Sequence, residues 1–167
     1  IRCRSGDTSA GLALLQQALE MAQKACDWWI GSQIHRELAR YHLEAGLIED
    51  GLSHADAALR VCQETGMGDL AVSVRAIRSL LLLAAGHADE ALAVAVETTA
   101  STRPGVELAY LVPFARGSAL SAVGQIDESD QYLHLAHDQL LASLGDLSAE
   151  DRQAALRTVP THRQVVE

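Results

Sequence analysis

Apolar stretches rich in alanine and leucine alternate with short polar turns that contain glycine, and this alternation runs through most of the chain. Alanine and leucine favour helix over strand, and only three prolines interrupt the 167 residues. The alternation predicts an all-α fold with seven long helices, at 8–26, 28–45, 48–64, 69–85, 88–100, 106–123 and 126–144.

Four glycines divide this pattern at nearly equal intervals. Gly6, Gly46, Gly86 and Gly124 are separated by 40, 40 and 38 residues, and each opens a phrase of a turn, one or two acidic residues, a small residue and a helix. A fixed period of this size predicts a solenoid of stacked helical hairpins. We call the helix before each glycine an A helix and the helix after it a B helix. Only residues 1–5 precede Gly6, so we expect the chain to begin inside a hairpin.

Small side chains recur at fixed distances from these glycines. They stand seven residues before the glycine, five after it and twelve after it, where a larger side chain would hold two packed helices apart. The eleven positions are Ala39, Ser79 and Gly117; Gly11, Gly51, Ala91 and Ser129; and Ala18, Ala58, Thr98 and Ala136. Together with the glycine period they predict close contacts between helices.

Residues 1–144 resemble the tetratricopeptide repeat (TPR) family through these glycines and small positions. The resemblance implies antiparallel helix pairs stacked into a right-handed superhelix, with a period longer than the usual repeat of about 34 residues. The longer repeats are similar to those of large bacterial signalling proteins, including LuxR-type regulators with an ATPase module and class III adenylate cyclases. This likeness implies a cytoplasmic sensor or scaffold region whose enzymatic or DNA-binding parts lie upstream.

The last part of the chain, 145–167, departs from the period. The segment from Ser148 to Asp151 resembles a capping box that starts a short helix, and Pro160 then breaks the chain. A terminal repeat needs a cover for its apolar face, so we expect a capping segment here. The resemblance to the signalling proteins extends to the phrase Arg152-x-x-x-Leu156-x-x-Val159-Pro160-x-x-Arg163.

The TPR resemblance also implies a concave ligand groove built from the A helices. The mapped positions are polar and cationic at the N-terminal end and mostly apolar beyond, which suits an amphipathic helix or an extended peptide with an acidic group. These positions are Gln33, Arg36, Arg40, Leu43, Ser73, Leu80, Leu83, Leu111, Phe114 and Ser118. We expect Arg36 and Arg40 to contact an acidic partner, whereas Arg78 and Arg116 are expected to pair with acidic residues on neighbouring helices. Pro113 indicates either a kink in the last A helix or a later start of that helix.

The net charge and the absence of several sequence motifs exclude some classes of function. The formal net charge of −9 disfavours binding to nucleic acid or to an anionic membrane, and no apolar run reaches the roughly eighteen residues of a membrane span. The spacing of Cys3, Cys26 and Cys62 argues against a disulfide framework or a zinc site and is typical of a reducing cytosol. The sequence contains no phosphate-binding loop, nucleophile elbow or His-Glu-x-x-His helix, so we expect neither catalysis nor a cofactor.

Two groups of histidines have more than one interpretation. His134 and His137, with Asp130 one turn earlier, have a spacing that suits metal ligands, but a solvated helical face explains them better. We expect no metal there. His35 and His42 lie two turns apart in one A helix, where we expect them to be packed or hydrogen-bonded.

The predicted function is binding without catalysis. We expect a module that recognises a protein, a peptide or upstream domains of the same polypeptide. The alternatives are an adaptor that self-associates into homo-oligomers and a small-molecule sensor with a pocket around Leu80, Leu83 and Phe114. Trp28 and Trp29 are expected to pack in the core, with a contact anchor for a partner as the alternative.

Overall fold

The structure is a computed structural model that describes residues 8–103 and 105–166. Within these ranges there are nine helices and no strand, which confirms the all-α prediction. The helices are α1 (Thr8–Lys24), α2 (Trp28–Ala45), α3 (Ile48–Thr65), α4 (Gly68–Ala84), α5 (Ala88–Ser101), α6 (Leu111–Ala122), α7 (Ile126–Ser143), α8 (Ala149–Thr158) and α9 (Pro160–Val166). Gly6 and the other residues before Thr8 lie outside the described ranges.

The turn glycines end three A helices in the same way. Gly46, Gly86 and Gly124 have φ angles of 72°, 86° and 83°, the left-handed region in which a side chain would be strained. In each turn the residue after the glycine donates its N–H to the carbonyl five residues back, as Leu47 does to His42 at 2.8 Å. This hydrogen bond satisfies a carbonyl that the helix end would otherwise leave open. The turns predicted at these three glycines are therefore confirmed.

The small positions bring the two helices of each hairpin together, as predicted. Residues seven before and five after each glycine meet as pairs that are twelve residues apart, and two of the three pairs are joined by a serine hydroxyl. The pairs are Ala39 with Gly51, Ser79 with Ala91 (Oγ to carbonyl oxygen, 2.8 Å) and Gly117 with Ser129 (carbonyl oxygen to Oγ, 2.8 Å).

Two of these positions leave no room for a side chain. A β-carbon on Gly51 would lie 2.6 Å from a methyl carbon of Leu81. A β-carbon on Gly117 would lie 2.8 Å from Cγ of Leu133. Carbon atoms pack at about 3.5–4.0 Å, so the absence of a β-carbon lets each helix approach its neighbour.

Helix α6 begins at Leu111, later than the predicted start at 106. Residues 107–110 form turns, and Leu108 has a φ of 60°. Pro113 is the third residue of α6, where a backbone N–H would have no partner within the helix. Proline therefore breaks no hydrogen bond there, and of the two explanations that the sequence left open, the later start is correct.

The C-terminal part has two helices where one was predicted. The Ser148 side chain accepts a hydrogen bond from the N–H of Asp151 at 3.1 Å, which confirms the capping of α8. Helix α8 ends before Val159, as expected, but Pro160 is then the first residue of α9. The fixed φ of proline suits the first position of a helix, so the same residue that ends one helix starts the next.

Helix α4 is the centre of the core. Eleven of its seventeen residues are buried, and it packs against α2, α3, α5 and α6. The A helices α2, α4 and α6 contact one another in sequence, whereas the B helices α3, α5 and α7 have no comparable mutual contacts in the part of the chain that the structure describes. The A helices therefore form a continuous layer.

Candidate functional site

The ten predicted groove residues lie on α2, α4 and α6, and none of them is exposed. The buried ones are Arg36, Arg40, Ser73, Leu80, Leu111 and Phe114, and the half-buried ones are Gln33, Leu43, Leu83 and Ser118. Leu80, Leu111 and Phe114 come together in the main core, with Leu43 packed against it. Leu83 instead packs against a separate cluster. We call the side of α2, α4 and α6 that carries this set the groove face.

Arg36 and Arg40 lie in a network of charged side chains that the chain supplies itself, which we call the arginine–glutamate network. Arg36 is 4% exposed and contacts Glu37 at 3.1 Å and Glu107 at 2.8 Å. Arg40 is 5% exposed and contacts Glu37 at 2.7 Å and Glu44 at 3.2 Å. Among the described residues, three carboxylates and two guanidinium groups meet in these contacts.

The carboxylates keep the buried Arg40 charged. Burial alone would lower the pKa of its guanidinium group, but Glu37 and Glu44 outweigh burial and hold the pKa above its ordinary value. A buried ion pair is strongly destabilised when one partner is removed, because the other charge is left uncompensated. Both arginines are thus engaged within the fold.

The segment before α6, residues 105–110, lies over part of the groove face, and we call it the covering segment. Its Glu107 reaches across to Arg36 of α2. Val106 and Tyr110 of the same segment are buried in the main core. The late start of α6 therefore leaves five residues that were predicted as helix, 106–110, in irregular backbone, from which Glu107 contacts α2.

Helix α9 packs against α7 and lies beside the covering segment and Glu44 of α2. The Thr161 hydroxyl donates to Oε1 of Glu44 at 2.8 Å, and Nε2 of His162 lies 3.1 Å from the hydroxyl of Tyr110. Thr161 is 1% exposed and His162 is 7% exposed. Val165 belongs to the main core cluster. The chain thus places one of its own short helices against α7, with Thr161 bonded to Glu44 on the groove face.

A cavity of about 340 Å³ opens next to the arginine–glutamate network. Trp29, Gln33 and Arg36 of α2 line one side, and Glu107 of the covering segment lines another. Trp28 and Trp29 are each 60% exposed, so the expected packing of the tryptophans in the core is wrong. Their alternative role as a contact anchor stays a prediction.

Three histidines form a cluster between α2 and α3. The Nδ1 atoms of His35 and His54 are 3.0 Å apart, so one ring donates a hydrogen bond and the other accepts it. The rings of His42 and His54 are stacked, with centroids 5.3 Å apart and planes inclined by 7°. The predicted packing of His35 and His42 is confirmed, and both pack against His54.

Burial lowers the pKa of all three imidazoles. Arg60 adds to this effect at His35, whereas the carboxylate of Asp50 opposes it at His42 and His54. Nδ1 of His42 is buried without a hydrogen-bond partner. The cluster is therefore suited to the neutral form of its rings and opposes their protonation.

Arg78 and Arg116 pair with neighbouring helices, as predicted. Nε of Arg78 is 2.9 Å from Asp56 of α3, and Nη1 is 3.6 Å from Glu90 of α5. Nη2 of Arg116 is 2.9 Å from Glu128 of α7, and its guanidinium carbon lies 4.2 Å from the centre of the Tyr132 ring. These two arginines join helices instead of lining the groove face.

The remaining candidate ligands are dispersed. His134 is exposed, and Nδ1 of the half-buried His137 lies 3.4 Å from Asp138. Across residues 8–103 and 105–166, no group of three His, Cys, Asp or Glu side chains is arranged to hold a metal ion. Cys26 and Cys62 are both free, and burial raises the pKa of the Cys62 thiol.

Sequence reasoning missed His54, although the repeat contained a signal for it. His54 stands eight residues after Gly46, and Tyr132 stands eight residues after Gly124. Tyr132 packs on Arg116 of the preceding A helix, so this position faces the A helix of its own hairpin. Applied to the earlier hairpin, the same register places His54 against α2.

Comparisons of the chain with profiles of known protein families, with curated proteins and with solved structures find no match. None of the helices in the described ranges combines the length and the hydropathy that crossing a bilayer requires. The groove face, the arginine–glutamate network and helix α9 are the features that bear on function.

Proposed function

We propose that this chain is a non-enzymatic, TPR-like module that binds a short helical segment of a partner protein on its groove face. In this proposal the hairpins form a superhelix with the A helices on the inside, and the module is the sensor or scaffold part of a larger cytoplasmic regulator. One observation carries the proposal: α9, a helix of seven residues, already contacts this face.

The contacts of α9 support binding of a separate segment, because they combine polar contacts with an apolar anchor. Glu44 and the Tyr110 hydroxyl provide polar partners, and Val165 belongs to the main core cluster and lines a cavity together with Leu133 of α7. A helix that docks in a groove is recognised by apolar anchors on one side together with a few polar contacts. A face that holds one short helix in this way has the chemistry to hold another.

The contacts between A helices support the same proposal. Helix α4 touches both α2 and α6, and no comparable contacts join α3, α5 and α7 among the described residues. Stacked hairpins in which one helix set is closer together than the other curve toward the closer set. The groove face would then be the concave side.

Selection of binding peptides tests this function. Random peptides displayed on phage are selected on the Thr161→Val chain, in which α9 lacks its hydrogen bond to Glu44. We expect enriched peptides that slow hydrogen exchange in α2 and in the covering segment and leave exchange in α1 unchanged. Failure to enrich any peptide, or a protected region confined to α1, would refute the proposal.

A further inference from the structure

We infer the chemistry of the partner segment from α9, an inference that rests on the proposed function. The groove face takes a short, neutral or basic helix that presents a hydroxyl, an imidazole and a branched apolar side chain on one side. A partner segment of this kind displaces α9 when it binds.

The recognised side of α9 is defined by three residues. Thr161, His162 and Val165 fall within an arc of about 100°, since successive residues of a helix are rotated by about 100°. All three are buried, whereas Arg163, Gln164 and Val166 on the remaining surface are exposed. A partner must reproduce the buried side, and on the exposed side only its charge is restricted, to neutral or basic.

Each of the three positions has a distinct partner on the face. Glu44 accepts the hydroxyl hydrogen of Thr161, so this position calls for a donor. The ring of His162 meets Tyr110 edge-on, with centroids 5.4 Å apart, in addition to the contact between Nε2 and the hydroxyl. Val165 fills an apolar site. This combination is more restrictive than an apolar groove alone.

The proposed partner segment differs in charge from the acidic partner that the sequence predicted. The two groove arginines are buried and already contact three glutamates. An acidic segment on the groove face would place its carboxylates beside Glu37, Glu44 and Glu107. Residues 160–166 instead contain Arg163 and no acidic residue before Glu167. Helix α9 thus adds no carboxylate to the site.

The mode of attachment of α9 makes it displaceable. The preceding helix α8 has no buried residue, although its half-buried Ala155 and Leu156 pack against the main core cluster. Seven residues are too few for a stable isolated helix, and the helical form of this segment therefore depends on the groove face. Segments with few buried contacts open at low free energy. Because α9 is tethered, a competitor faces an effective concentration on the order of millimolar, and weakening α9 should reveal the site.

Fluorescence anisotropy with a defined probe tests the inference. The probe is a labelled, end-blocked peptide of residues 158–166, titrated with the full chain. We expect the Thr161→Val chain to bind it about tenfold more tightly than the wild-type chain, because a hydrogen bond to a charged acceptor has been removed from the competing helix. In the peptide, Arg163→Glu should weaken binding about tenfold and Arg163→Lys should leave it unchanged.

A matched pair of protein variants locates the site. Glu44→Gln in the Thr161→Val chain should weaken binding of the peptide, because the acceptor for its threonine hydroxyl is altered. Glu49→Gln removes the same charge from the exposed first turn of α3 and should have no effect. Equal effects of the two variants would overturn the assignment of Glu44.

A measurement on the wild-type chain avoids any dependence on variants. With the chain isotope-labelled, excess unlabelled peptide should shift the amide signals of 161–166 and leave those of α1 in place. An unchanged α9 at saturating peptide would overturn the displacement.

The failures of the two proposals are distinguishable. A scrambled peptide of equal affinity, or tighter binding of the Arg163→Glu peptide, overturns the ligand chemistry while peptides enriched by phage selection still support the binding function. Dimerisation of the Thr161→Val chain in light scattering, without peptide binding, identifies a second copy as the occupant and overturns the inference of a different partner. If neither the probe nor any selected peptide binds, both proposals fail.

Discussion

Replacing Gly117 by alanine measures how closely α6 and α7 approach each other. The added β-carbon would lie 2.8 Å and 2.9 Å from Cγ and Cδ2 of Leu133 and 3.1 Å from its backbone nitrogen. Optimal carbon contacts are about 3.5–4.0 Å, and because one of the close atoms is backbone, rotation of the leucine side chain does not relieve the contact. We expect overpacking to cost about 1–3 kcal/mol, partly offset by about 0.5–1 kcal/mol that alanine gains over glycine inside a helix.

Gly31→Ala in α2 is the matched control, because a β-carbon there would meet nothing within 4 Å. That variant should show only the helix gain of about 0.5–1 kcal/mol. The difference between the two variants isolates the packing cost of about 1–3 kcal/mol, measured by urea denaturation followed by circular dichroism. For a chain of this length it corresponds to a difference in melting temperature of about 2–4 °C per kcal/mol. Equal stability of the two variants would refute the close approach.

Two further predictions concern a helix cap and the histidine cluster. Asp27→Ala should lower the free energy of unfolding by about 0.5–2 kcal/mol in urea denaturation, because Oδ1 of Asp27 accepts the Ile30 N–H at 3.0 Å. An equal loss from Asp89→Ala, in the first turn of α5, would contradict the capping role. In the cluster, burial holds the folded pKa values below the unfolded value of 6.5, so the unfolded chain binds more protons. The free energy of unfolding should therefore be largest above pH 6.5 and fall as the pH drops through that value. Urea midpoints at about pH 7.5 and 5.5 should differ more for the wild-type chain than for His54→Gln, and equal differences would rule out the cluster as the cause.

Local signals predicted most of the hairpin geometry. Gly46, Gly86 and Gly124 mark the turns because only a residue without a side chain is unstrained at those φ angles. Gly51 and Gly117 mark close contacts because a β-carbon would collide there. The turn glycines and the contact glycines each reflect the backbone geometry at a single residue. A requirement of this local kind can be recognised from the sequence.

The candidate site was harder to predict because it depends on contacts between distant segments. Arg36 and Arg40 look like free cations along the chain, but Glu107 is 71 residues from Arg36, and Thr161 is 117 residues from the Glu44 that pairs with Arg40. Nothing in the local pattern of α9 indicates which face it covers. The groove on α2, α4 and α6 stays a prediction, and the structure adds the segments that lie near it.

The twelve-residue pairing across each turn has a consequence for changes in chain length. Both members of a pair are counted from the same glycine, so one inserted residue in the turn would rotate the B helix by about 100° and replace the small residue at the contact with a larger one. The connection between hairpins carries no such constraint, and there the repeat shortens from 40 to 38 residues while the pairing distance stays the same. Insertions and deletions should therefore accumulate between the hairpins, at the ends of α3 and α5, and be excluded from the turns within them.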